Sequence, residues 1–119
     1  MSDRGHHQPS AGPPSARGGL ESFRDRLDRI DDQIAHLLGE RFDICREVAR
    51  YKSAHGIPMM QPDRVVEVRN RYLARGAAAG LPADFSNELF DVLIAATCRM
   101  EDEIIAALQS AARDEAETA

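Results

Sequence analysis

Arg41 interrupts a line of apolar residues spaced three and four apart, Ile34, Leu37, Leu38, Cys45 and Val48, where the rhythm calls for another apolar side chain, and Lys52 continues the same line. The two cations are eleven residues apart, an angular offset of only about 20°, so on one helix they share a face about three turns apart. Burying both without partners is costly, and an anion is expected between them. The plainer alternative is an ion pair with Glu40, Glu47 or Glu101, or a stem lying along apolar surface with its charge in water. Thr97 and Glu101 repeat the oddity at spacing i, i+4, in or beside a stripe that includes Leu93, Met100 and Ile104. A carboxyl there serves either as a structural ion partner for Lys52 or as a protonated donor. Arg24 lies far along the chain from Arg41 and Lys52 and is rotated away from them. It is either a solvated arginine near a helix start or, across a two-fold axis, a contributor to the partner's cavity. There is no Gly-rich phosphate loop, no Ser or Cys nucleophile with an evident base, and no His-Glu metal spacing. The chemistry open to these residues is done by cations and hydrogen bonds, with no metal or cofactor.

The elements that must position them read as helices. From Leu20 the apolar residues Leu20, Phe23, Leu27, Ile30, Ile34, Leu37, Leu38, Cys45 and Val48 predict one long helix to about residue 54, on the order of 50 Å at the usual rise. Gly56 and Pro58 end it. Pro62 and Asp63 open a second helix through Val65, Val68, Tyr72 and Leu73, closed by Gly76 and Gly80. Asp84 is the expected N-cap of a third, with a stripe through Phe85, Leu89, Val92, Leu93, Ala96, Met100, Ile104 and Leu108. Residues 1–19, rich in Gly, Pro and Ser, read as a disordered tail, 20–112 as the helical domain, and 113–119 as a frayed acidic end. Adjacent His6 and His7 in such a tail are not expected to hold a metal. One chain of this size cannot cover so long a rod, so the predicted fold is all-α, three helices per chain, paired into an intertwined six-helix homodimer.

Composition narrows the class. A net charge of -5 disfavours nucleic acid as the main partner. No stretch approaches the roughly 18 apolar residues of a membrane span, and the N-terminus lacks the apolar core of a signal peptide. Cys45 and Cys98 sit singly in helical patterns, as core residues do in a reducing compartment. The expectation is a cytoplasmic protein.

The order Arg24, Arg41, Lys52, Arg64, Thr97, Glu101 on three helices resembles the all-helical chorismate mutase family over roughly Leu20 to Leu108. Within that span, Arg50-Tyr51-Lys52-Ser53-Ala54-His55-Gly56-Ile57-Pro58-Met59-Met60-Gln61-Pro62 and Cys98-Arg99-Met100-Glu101-Asp102 look most like the 4-amino-4-deoxychorismate mutases of antibiotic pathways, which supply the precursor of 4-aminophenylalanine. The resemblance implies that Arg24 of the partner subunit and Arg41 bind the two carboxylates of a shikimate-derived dicarboxylate. It implies that Lys52 contacts a carboxylate and the ether oxygen and that Arg64 lies beside the ring. Thr97 takes a position often held by Ser, and Glu101 one often held by Gln. Many chorismate mutases carry carboxylates where this chain has Gln61 and Val65, and those groups help hold the 4-hydroxyl of chorismate. The implied order of activities is aminodeoxychorismate mutase, chorismate mutase, then isochorismate pyruvate lyase. A non-catalytic helical dimer is the reading from another class, and the cations argue against it, because a pure dimerisation surface would carry Leu or Met.

Overall fold

The computed structural model describes residues 14–118; residues 1–13, with His6 and His7 and most of the expected tail, lie outside the described residues, as does Ala119. Among the described residues there are three helices and no strand: α1 (Pro14–His55), α2 (Pro62–Ala78) and α3 (Ala83–Thr118). None of them is long and apolar enough to cross a membrane.

Three helix ends differ from the sequence reading. Helix α1 starts at Pro14 rather than Leu20, because proline suits a first-turn position, where its missing N–H costs nothing. Helix α3 runs on through residues expected to fray. Ala and Glu favour helix there, and the Thr118 hydroxyl donates to the Asp114 and Glu115 carbonyls at 3.1 Å each. Asp84 is not the cap of α3: the Pro82 carbonyl accepts the Ser86 N–H at 3.1 Å, which places the cap at Pro82 and Asp84 inside the first turn. A carboxylate there still meets the positive end of the helix dipole.

The chain divides after Arg41 into two compact units. In the first, the apolar stripe of α1 is uncovered, with Leu20, Phe23, Leu27, Ile30, Ile34 and Leu37 between 38% and 60% exposed. The second holds the end of α1 and the α2–α3 hairpin. Helix α2 closes in a Schellman turn, with the Leu81 N–H on the Gly76 carbonyl at 2.8 Å and the Gly80 N–H on the Ala77 carbonyl at 3.0 Å. Gly80 takes φ +82 there, a conformation that side chains resist. Phe90 and Leu93 anchor the hairpin core, with the Tyr72 ring 5.5 Å from that of Phe90. Arg69 ties α2 to α3. Its guanidinium lies 4.7 Å from the Phe90 ring centre and donates to Asp91 at 2.8 Å and Asn87 at 3.3 Å.

The tightest point of the hairpin is Gly76 against Ser86. A Cβ built on Gly76 would stand 2.3 Å from Ser86 Oγ and 3.3 Å from Ser86 Cβ. Gly76→Ala should therefore destabilise the fold by about 1–3 kcal/mol in denaturant titration, as overpacking does. Adding Ser86→Ala should recover part of that loss, and a Gly76→Ala protein as stable as the parent would contradict the packing described.

Candidate active site

Lys52 occupies the last turn of α1, and its backbone and side chain both act on the loop that follows. Its carbonyl accepts the Ile57 N–H at 2.9 Å, closing the helix over Gly56, whose φ of +64 turns the chain. Its ammonium reaches over the same loop to the Met59 carbonyl at 2.7 Å and across to Glu101 Oε1 of α3 at 3.1 Å. The Lys52 and Glu101 side chains are only 14% and 7% exposed, so this is a largely buried pair. An ammonium has three protons. Two are committed to these acceptors, which fixes Nζ in place and leaves one N–H to offer.

Thr97 is buried one turn before Glu101 on the same face of α3. Burial pushes the Cys98 thiol above its ordinary 9.0; the Glu101 and Asp102 charges push the same way, while Lys52 opposes them. Alkylation of Cys98 by iodoacetamide should therefore reach its half-maximal rate at a higher pH than a free cysteine does, and Glu101→Gln should move that midpoint down. A midpoint unmoved by Glu101→Gln would contradict the proximity of the two groups.

The remaining residues singled out from sequence divide as follows. Gln61 caps α2 and spends its Nε2 on the Pro58 carbonyl at 2.8 Å, inside its own loop. Arg64 is exposed and pairs with Glu67 one turn on at 2.5 Å. Gln61 and Arg64 line an open depression of about 360 Å³ with Pro62, Asp63 and Glu67 at the start of α2. Val65 is half-buried. Arg24 and Arg41 belong to the first unit, Lys52, Gln61, Arg64, Val65, Thr97 and Glu101 to the second. The Arg24 side chain is 12% exposed and lies 3.9 Å from Glu21, and Arg41 is half-buried. Of the expected set, then, the structure brings Lys52 into contact with Glu101 and places Thr97 on the same face of α3. The Met59 carbonyl is the functional group that sequence reasoning missed. Every residue carries such an acceptor, so nothing in the side-chain pattern could single it out.

What this arrangement can do is limited and definite. A fixed, poorly hydrated ammonium with one unspent proton stabilises negative charge at a point, whether a resident carboxylate or an oxygen gaining charge in a reaction.

The profile of the chorismate mutase type II family matches residues 23–102. The chain belongs to that family. Lys52, Arg41, Thr97 and Glu101 all fall inside the matched segment. A 4-amino-4-deoxychorismate mutase of Streptomyces pristinaespiralis is 39% identical over 98 residues, covering 82% of this chain and 76% of the relative. Another from Streptomyces venezuelae is 39% identical over 95 residues, covering 80% of this chain and 92% of the relative. An isochorismate pyruvate lyase of Pseudomonas aeruginosa is 34% identical over 77 residues, covering 64% and 74%. No solved structure matches the chain significantly. As a chorismate mutase family protein this chain is an isomerase with a small-molecule substrate.

Proposed function

We propose that this chorismate mutase family protein converts 4-amino-4-deoxychorismate to 4-amino-4-deoxyprephenate by a [3,3] rearrangement, in an intertwined homodimer. The observation that carries the mechanism is Lys52, its Nζ held between the Met59 carbonyl and Glu101 with one donor left. The choice of substrate is supported by the two Streptomyces relatives. A [3,3] shift needs no nucleophile and no cofactor. It needs a dianion held in a compact chair and a donor aimed at the ether oxygen, where charge builds as the C–O bond breaks and the new C–C bond forms. Arg41 and Arg24 of the partner subunit hold the two carboxylates, Lys52 serves the ether oxygen and the carboxylate beside it, and Arg64 lies along the ring. Thr97 and Glu101 complete the donor side. Gln61 and Val65 face the C4 substituent, where neither imposes a negative charge.

Pairing is supported by the α1 stripe, whose six large apolar residues from Leu20 to Leu37 are all exposed. At about 25 cal/mol per Å² of apolar surface, leaving such a face in water forfeits several kcal/mol. If Arg24 serves the opposite site, Arg24→Ala and Arg41→Ala proteins, each nearly inactive, should regain partial activity when mixed and allowed to exchange, since one of the two sites in the heterodimer keeps both arginines. Exchange without recovery would place Arg24 outside the partner's site. The lyase reading is favoured by the Pseudomonas aeruginosa relative. Product analysis separates the two: the proposed reaction gives a product of unchanged mass, whereas pyruvate released from isochorismate as the main reaction would assign the lyase.

A further inference from the structure

The α2–α3 hairpin carries a second pocket, open to solvent and about 340 Å³ in volume. Its lining joins Tyr72, Leu81 and Leu89 to the buried Gly76 and Ser86 and the exposed Arg71 and Arg75. Ser86 and Glu101 are fifteen positions apart on α3, about 22 Å at 1.5 Å per residue, so this pocket is separate from the candidate active site.

Two independent observations point to a ligand. Ser86 is 2% exposed and its hydroxyl has no hydrogen-bond partner among the described residues, a state that a folded protein rarely leaves uncompensated. The exposed side chains of Arg71 and Arg75, one turn apart on α2, have no hydrogen-bond or ion-pair partner among the described residues, whereas that of Arg69 is satisfied by Asn87 and Asp91. Two guanidinium groups one helical turn apart suit a carboxylate, which they bind through paired N–H donors. The rest of the lining is mostly apolar and includes a phenol ring, the lining that holds a flat aromatic body. The volume is at the small end for ligand pockets and admits one ring rather than two.

We infer that this hairpin pocket binds a small aromatic carboxylate, with Arg71 and Arg75 on the carboxylate, the ring between Tyr72, Leu81 and Leu89, and the Ser86 hydroxyl paired to a polar substituent at the far end of the ring. The full chain, titrated with 3-(4-hydroxyphenyl)propionate and followed by amide proton–nitrogen correlation spectra, tests it. Saturable shifts are expected at Arg71, Tyr72, Gly76, Leu81 and Ser86. Arg71→Gln combined with Arg75→Gln should weaken binding about tenfold or more, as should replacing the carboxylate by the neutral amide. Removing the ring hydroxyl from the probe should weaken it about threefold. Shifts confined to the surroundings of Lys52 and Glu101, shifts that never saturate, or an affinity unchanged in the double arginine variant would each overturn the assignment.

Discussion

Lys52→Ala should lower kcat/KM by roughly a hundredfold or more, about 3 kcal/mol of transition-state stabilisation, the scale of removing one donor from a developing negative charge. The size follows from placement. Nζ is held by two acceptors and 14% of the side chain is exposed, so water cannot take over its role without disturbing the site. The same burial means that the substitution has a structural cost, because it strands Glu101, 7% exposed, without its partner. Breaking a buried pair from one side costs about 3–5 kcal/mol of stability. The two effects are separable. Lys52→Met with Glu101→Gln removes both charges while keeping the shape, and should fold at least as well as Lys52→Ala yet remain inactive. Lys52→Arg keeps the charge but replaces a compact ammonium by a planar fork, and should not restore the rate. If Lys52→Ala stays within about threefold of the parent, a change worth under 1 kcal/mol, Lys52 is a structural residue and the site is misplaced.

Glu101→Ala should lower kcat/KM strongly, whereas Glu101→Gln should keep substantial activity. A carboxamide keeps the shape of the side chain, accepts from the Lys52 ammonium through its oxygen and offers N–H donors of its own. The 3.1 Å contact with Lys52 defines the rival role, a carboxylate whose charge orients the ammonium and does nothing else. In that role the carboxamide is no substitute, and Glu101→Gln falls with Glu101→Ala. Measuring kcat/KM for the three proteins side by side distinguishes the two roles, and a Gln protein as impaired as the Ala protein would sink the donor role.

The three helices were legible because their apolar residues recur at helical spacing and because Gly56, Pro58, Gly76 and Gly80 punctuate them. The exact ends were less so: Pro14 and Pro82 both act at helix starts, and proline marks such a position without saying which neighbour caps it. Lys52 and Glu101 were visible as polar residues in apolar stripes, and each proved to be the other's partner. The bond from the Lys52 ammonium to the Met59 carbonyl was hidden, since a backbone acceptor leaves no mark on residue type. The role of Arg69 was hidden for a related reason: its partners Asn87 and Asp91 lie on another helix, and helical spacing reports only neighbours on the same one. The closeness of Gly76 to Ser86 was likewise invisible, for a glycine near a helix end reads first as a stop.

The most direct measurement is kcat/KM for 4-amino-4-deoxychorismate, chorismate and isochorismate side by side, with each product identified by mass and retention. The account predicts that the 4-amino compound is the best substrate and gives 4-amino-4-deoxyprephenate at unchanged mass, with Lys52→Ala losing that activity. A higher kcat/KM for chorismate, or pyruvate from isochorismate as the dominant product, would contradict it.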